Sequence, residues 1–457
     1  MSYFFLQWAL RGLVVPRRAA VSPLAVILRD PVHGLVSFET DEQSIVVELL
    51  ETREVQRLRH IRQLGLTSLA YPGADHTRFS HALGAAFVMT RFITRMRSLH
   101  EALPFWQRLT TERARDALAA SLLHDIGHGP FSHLFEEALP ECPRHESWTS
   151  RVLLDDSTEV HRVLTRYDAS LPQRVAELVH GHHELPFLAR AVSGTFDVDR
   201  CDYLLRDAYF TGVGYGSFDL DWLLRSFRLG VPKAPGQAPP LAVDGAKGLP
   251  AIESFILARL FMFQQVYFHK ASRASEWMVA RILGRLRQLA LDDVRVAGTP
   301  PAVLSLATTG DASLGDYLAL DDTVLWTALS GFRRAKDPVL SDLSTRLMAR
   351  KLFKTYELYG DAQKPEVRYE ALARAREIAT KAGLDAETYV GLDCASDLPF
   401  DDQDSSLSVI FPGGVAKKPA DVSYLLGRLR AERVERVRLI FAPELREEID
   451  RALKDVT

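Results

Sequence analysis

The run Leu122-Leu123-His124-Asp125-Ile126-Gly127-His128-Gly129-Pro130-Phe131-Ser132-His133 puts three imidazoles and a carboxylate within ten residues, at the end of an apolar helical repeat. Ala114, Leu118 and Leu122 recur at turn spacing ahead of it, so a buried helix delivers His124. Gly127, Gly129 and Pro130 then break the period. A bend is predicted there, turning His128 and His133 into a cavity instead of on around a cylinder. Adjacent His and Asp side chains at such a bend offer a cation one nitrogen and one oxygen. Further donors must come from elsewhere, and candidates flank the run: Arg78-Phe79-Ser80-His81 upstream and Asp197-Val198-Asp199-Arg200-Cys201-Asp202-Tyr203 downstream. His81, His124, Asp125 and Asp199 would supply two nitrogens and two carboxylate oxygens. That set suits one divalent Mn, Fe, Zn, Ni or Co ion and does not choose among them. With positions left open, such an ion acidifies a bound water to a pKa of about 7 and polarises a phosphoryl group. Taken singly, His81 and Asp199 would more simply be helix caps.

The chain resembles the HD-domain superfamily of metal-dependent phosphohydrolases, and within it the deoxynucleoside triphosphate (dNTP) triphosphohydrolase branch. The resemblance runs through Arg29-Asp30-Pro31-Val32-His33-Gly34, Gln56-Arg57-Leu58-Arg59, Ile61-Arg62-Gln63-Leu64-Gly65 and Arg78-Phe79-Ser80-His81. It resumes at Asp197 to Asp207, Tyr267-Phe268-His269-Lys270 and Arg350-Lys351-Leu352-Phe353-Lys354, in the family's order. It implies His81, His124, Asp125 and Asp199 as metal ligands and His128, His133 and His145 as pocket histidines. Either His133 or His145 would be the general acid and His128 would orient phosphate, since imidazole titrates near working pH. Glu136 stands where the family often has Asp. His145 lies in a polar stretch and is the one of the three for which a surface position is credible.

The resemblance also implies that Arg78, Arg200 and Arg259 grip the phosphate chain, through guanidinium forks that donate to phosphate oxygens. Mg could accompany those phosphates. Tyr203 and Tyr267 would line the sugar and base, and Gln63 with Asp207 would read the 3′-hydroxyl. A regulatory nucleotide site is suggested by Glu51, Gln56 and Arg59, which resemble guanine-reading positions at a subunit interface. Lys270, Arg350 and Lys354 resemble its phosphate-gripping positions. Trp222 stands there in place of an expected arginine, and Val26 and Arg29 depart as well, so ordinary interhelical charge pairs are the alternative. Homo-oligomers, dimeric or tetrameric, are implied. His180, His182, His183 and Glu184 suit either a second metal or a His-rich polar helix end, and the polar helix end is the preferred reading.

Net charge is −3, so no global basic field points to nucleic acid as a partner. Three cysteines, Cys142, Cys201 and Cys394, lack CxxC spacing and fit a reducing, cytoplasmic setting. The apolar stretch Met1 to Val15 is interrupted by Gln7 and Arg11, and a membrane span needs about 20 apolar residues. No membrane partner is expected.

The predicted fold is mainly α: an HD-domain helical bundle with a small C-terminal α+β lobe. Expected divisions are a poorly ordered extension over 1–26, the HD catalytic domain over 27–228, a helical continuation completing pocket and oligomer interface over 229–366, and the lobe over 367–457. Val55, Leu58, Ile61 and Leu64 recur at turn spacing and predict helix. The proline-free stretch Ala251 to Val296 predicts one long helix or two abutting ones. Leu241-Ala242-Val243, Tyr389 to Leu392, Leu407 to Phe411 and Val437 to Phe441 predict strands. The expected activity is cleavage of a dNTP to deoxynucleoside and inorganic triphosphate. Alternatives are an HD-type phosphohydrolase or phosphodiesterase acting on another nucleotide or a nucleic-acid end, or a nucleotide- or nucleic-acid-binding regulator.

Overall fold

In the computed structural model the described residues are 26–454, apart from 233, 402–406 and 431. The expected extension over 1–26 lies outside them, save for its last residue. The fold is mainly α, with three small sheets among the described residues. No described helix is long and apolar enough to cross a membrane.

Four helices build the frame around the His-Asp run: Arg78–Arg97, Thr111–Leu123, Val198–Thr211 and Leu249–Met262. The helix ending at Leu123 begins where the Thr110 side chain accepts from the Arg113 amide. The helix Val198–Thr211 starts on an Asp197 cap and stops at Gly212, whose left-handed φ of 75° ends the period. Helices Arg78–Arg97 and Val198–Thr211 pack closely at Gly84, where a Cβ would collide with the Asp202 carboxylate and the Arg206 guanidinium.

The stretch Ala251 to Val296 forms two abutting helices, joined through a π-turn, Phe263–Tyr267. The extra residue in such a turn re-aims the side chains that follow. Here it delivers Tyr267 to the Asp207 carboxylate, with the hydroxyl 2.8 Å from Oδ2.

Several local expectations give way to tertiary pairing. The predicted helical repeat Val55 to Leu64 holds only to His60; Ile61 is extended and its carbonyl accepts the Arg78 amide, while Arg62 pairs with Thr77. A hairpin of strands β1 (Val26–Asp30) and β2 (Gly34–Phe38) precedes the first helices and was not foreseen. Strands β3 (Phe227–Leu229) and β4 (Leu241–Asp244) pair antiparallel. Strand β5 (Lys354–Leu358) pairs with β9 (Val434–Phe441), which also pairs with β6 (Val390–Asp397). Strand β7 (Ser408–Phe411) runs parallel to β4, with β8 (Val415–Lys417) outside it. The C-terminal strands therefore divide between two sheets, and both sheets take strands from before residue 367.

Apolar burial follows the same division. One core joins the frame helices to Leu407, Val409 and Leu426; the other joins helix Lys270–Leu291 to Val390, Leu439 and Ile449. Replacing Gly84 by Ala should overpack the interhelical contact and cost about 1–3 kcal/mol. Chemical denaturation of the two proteins checks this; equal midpoints would show that the contact can relax.

Candidate metal and phosphoester site

His81 and His124 meet across the frame, with their Nε2 atoms 3.3 Å apart. Asp199 Oδ1 lies 3.1 Å from the first and 3.4 Å from the second. Asp125 Oδ1 is 3.5 Å from His124 Nε2, and its Oδ2 is 3.9 Å from His81 Nε2. Donors about 2.0–2.2 Å from one ion stand roughly 2.8–4.4 Å from one another, from adjacent to opposite positions of a six-coordinate site, so these spacings fit one divalent transition metal. The electrostatics agree. Burial would depress His81, but hydrogen bonds to Asp199 and Asp202 override it and push its pKa up to about 10. Burial would raise Asp125 and Asp199, yet Arg78 and His124 hold the first well below the carboxylate range, and the imidazoles of His124 and His81 do the same for the second. Such a cluster calls for positive charge among its donors, as a proton or as a metal ion.

Asp202 decides which nitrogen His81 presents. Its Oδ2 lies 2.8 Å from His81 Nδ1, so the proton sits there and Nε2 is left as donor. The same carboxylate accepts from His33 Nε2 at 2.7 Å and from two nitrogens of Arg206 at 2.8 Å. Arg206 continues to Asp30 Oδ2 at 2.7 Å. His81, Asp202 and Arg206 have no exposed surface. None of Asp202, His33, Arg206 and Asp30 stood among the expected site residues. The signal was present, because both the Arg29 to Gly34 block and the Asp197 to Asp207 block carry the resemblance.

The remaining imidazoles gather one layer away. Glu136 Oε1 accepts from His133 Nδ1 at 3.0 Å and His145 Nδ1 at 2.9 Å, and its Oε2 accepts the His145 amide at 2.9 Å. Burial raises this carboxyl, but the two imidazoles outweigh it and keep the group ionised. The longer Glu thus serves both rings. His128 stacks on His145, with centroids 3.9 Å apart and planes at 15°. Burial, with the Arg78 charge added, depresses His128 and keeps it neutral. These four side chains bring ligand atoms within 4.8 Å of one another, but the stacked His128 and His145 rings hold their lone pairs in separate, nearly parallel planes, and Glu136 already engages Nδ1 of both His133 and His145. They suit proton handling better than joint coordination. One expectation is reversed: the His145 side chain is 14% exposed and that of His133 is 61% exposed. His145 opens helix His145–Leu154, so its ring is carried inward, while His133 stands at the mouth.

The turn carrying these groups is strained. Phe131 and Ser132 both adopt left-handed φ, 57° and 59°. Such residues persist only where neighbours hold them. Asp322 accepts the Phe131 amide at 2.8 Å, and Ser132 Oγ accepts from Arg78 Nε at 3.0 Å.

The expected phosphate-binding arginines fall into two places. Arg200 and Arg259 share a cavity of about 450 Å³ with Arg190, Arg433 and Asp397. Both Nε atoms there are buried without a partner among the described residues. Arg259 also reaches Asp397 at 3.1 Å. Arg78 is buried and tied to Asp125 instead. Asp207 accepts from His76 at 2.8 Å as well as from Tyr267, and Tyr203 packs 6.4 Å from both the His81 and Tyr267 rings. Gln63 Oε1 is buried and unpartnered among the described residues.

Within one chain the suggested regulatory residues also separate. Lys270, Arg350 and Lys354 line a cavity of about 370 Å³ with Arg446. Arg59 bonds Gln56, lies over the Phe79 ring and borders a different cavity; Glu51 is exposed at the end of helix Ser44–Leu50. His180 bonds Ser150, His183 accepts the Leu185 amide and Glu184 pairs with Arg113, so that cluster is dispersed into ordinary contacts.

Replacing Asp202 by Asn removes the negative charge and one of the two acceptor oxygens that serve His81, His33 and Arg206, and so weakens the hold on the His81 tautomer. Metal affinity should fall about 10–100-fold, read by Mn²⁺ titration with electron paramagnetic resonance. Unchanged affinity in a folded variant would show that His81 needs no such orientation.

The chain matches the HD domain model over residues 78–207 and the HD associated region over 240–296. It is 36% identical to the uncharacterized protein YwfO of Bacillus subtilis over 375 residues, covering 82% of this chain and 81% of that one. It is 25% identical to the deoxynucleoside triphosphate triphosphohydrolase SAMHD1 of Danio rerio, over 80% of this chain and 62% of the relative's length. A phosphohydrolase crystal structure from Bacteroides thetaiotaomicron superposes with a TM-score of 0.74 at 29% identity, covering 91% of this chain and 99% of that one. With its His-Asp cluster, helical frame and these relatives taken together, the chain belongs to the HD-domain family of phosphohydrolases.

Proposed function

We propose that this hydrolase cleaves dNTPs to a deoxynucleoside and inorganic triphosphate. The observation that carries the reading is the set of unpaired and convergent groups that accompanies His81, His124, Asp125 and Asp199. Arg200 and Arg259, with orphaned Nε donors, share one cavity, while Tyr267 bonds Asp207 and shares a second cavity with the orphaned Gln63 carbonyl. Cationic donors of the first kind suit a phosphate chain, and polar groups of the second kind suit a sugar hydroxyl. The name of the Danio rerio relative supports the same substrate class.

A divalent transition metal held by His81, His124, Asp125 and Asp199 would supply Lewis acidity to a phosphoryl oxygen and lower the pKa of a water. The protein's own groups do the rest. Arg200 and Arg259 take the negative phosphate chain, which must draw Arg259 away from Asp397. Gln63 and Asp207 meet the 3′-hydroxyl, and the Tyr203 and Tyr267 rings crowd the sugar. Water oxygen bonds to the α-phosphorus as the bond from phosphorus to the 5′-oxygen breaks. His133 or His145, each with Nδ1–H donated to ionised Glu136, carries the proton to that oxygen from Nε2. The cations around the Lys270 cavity support a second, regulatory phosphate-bearing ligand there.

Incubation with Mn²⁺ or Fe²⁺ and each dNTP, followed by chromatography, should yield deoxynucleoside and triphosphate in equal amounts. Intact dNTPs, or orthophosphate alone, would overturn the reading. Arg259→Ala should raise KM about tenfold or more with bound metal unchanged. Asp199→Ala should abolish bound metal and turnover together.

A further inference from the structure

Gln63, Tyr267 and His133 line a cavity of about 240 Å³ that charged side chains also line. Leu66 and Phe131 supply apolar sides, and Glu137, Arg273 and Glu276 supply the polar end. Arg273 and Glu276 stand one turn apart on helix Lys270–Leu291, with Nη1 2.7 Å from Oε2. Asp393 on β6 holds the guanidinium from behind, accepting from Nε at 3.1 Å and Nη2 at 2.8 Å. A guanidinium carries five N–H donors, so two remain beyond these three bonds. The cavity adjoins the groups assigned above to the sugar, so it is where the base of a bound nucleotide would extend.

We propose that Arg273 and Glu276 read a guanine base there, which makes a guanine deoxynucleotide the preferred substrate. This refinement rests on the dNTP reading given above. Guanine presents an acceptor, O6, beside two donors, N1–H and the 2-amino group. A carboxylate can take both donors at once while an adjacent guanidinium serves O6. Adenine and cytosine each offer a single donor group beside an acceptor, and thymine offers one N–H between two carbonyls, so none matches both halves of the pair. Burial pushes the Glu276 carboxyl upward against the pull of Arg273, so added N–H donors stabilise its anion. The apolar walls fit the faces of a planar ring, and the fixing of Arg273 by Asp393 keeps the reading edge in place. A site built to bond a group rejects analogues that lack it, because its own polar atoms are then left unpaired.

The test uses the full-length Mn²⁺-loaded protein with dGTP, dITP, dATP, dCTP and dTTP, scored by triphosphate release. Deoxyinosine triphosphate keeps O6 and N1–H and lacks the 2-amino group. The expected result is kcat/KM about tenfold higher for dGTP than for dITP, with the ratio falling towards one in Glu276→Gln. Equal use of dGTP and dITP by the unaltered protein, or an unchanged ratio in the variant, would overturn the proposal while leaving dNTP cleavage standing. If Glu276→Gln does not fold, the ratio measured on the unaltered protein decides alone. Failure to release triphosphate from every dNTP would overturn this proposal together with the reading beneath it.

Discussion

The buried Asp202 carboxylate holds the site's geometry together. A charge with no exposed surface is tolerable only when it is paired and hydrogen-bonded. Here it receives His81, His33 and two nitrogens of Arg206. Burial would raise its pKa, and the Arg206 charge with these hydrogen bonds holds it far down. Arg206 needs a second anion, and Asp30 supplies it from the hairpin turn, where the Asp30 side chain also accepts the Val32 and His33 amides at 2.9 Å. The β1–β2 hairpin is therefore tied to His81 through charge, and Gly84 leaves the room for this contact to close.

The imidazole side of the site is braced from the other core. Asp322 holds the strained Phe131 amide, and Tyr317 donates to the Gly127 carbonyl at 2.8 Å while stacking on Trp148. Arg57 reaches the His128 carbonyl and the Leu320 carbonyl, both at 2.9 Å. Groups from residues 317–322 thus fix a turn some 190 positions earlier. A conformation that costs about 1–3 kcal/mol per strained residue is stable only under such support.

Much of the local architecture was legible. The helix ending at Leu123, the break at Gly127, the two helices across Ala251 to Val296 and the strand segments near 390, 409 and 439 follow from periodicity and punctuation. The convergence of His81, His124, Asp125 and Asp199 followed from the ordered motifs. Less visible were β1, β2 and β5, whose short runs lack clean alternation, and the reversed exposure of His133 and His145.

Residue order alone determined the helix that delivers His124, the break after it, the strands near 390, 409 and 439, and which donor types enter the family's site, because helix period, caps and breakers act over a few neighbouring positions. Tertiary structure alone decided which sheet each C-terminal strand joins, which imidazole is sheltered, and that Asp202 sets the tautomer of His81. Those outcomes depend on burial and on partners more than a hundred residues distant, such as Asp202 from His81 and Val409 from Val243. Neither quantity is encoded in local pattern, since each exists only after the chain has closed upon itself.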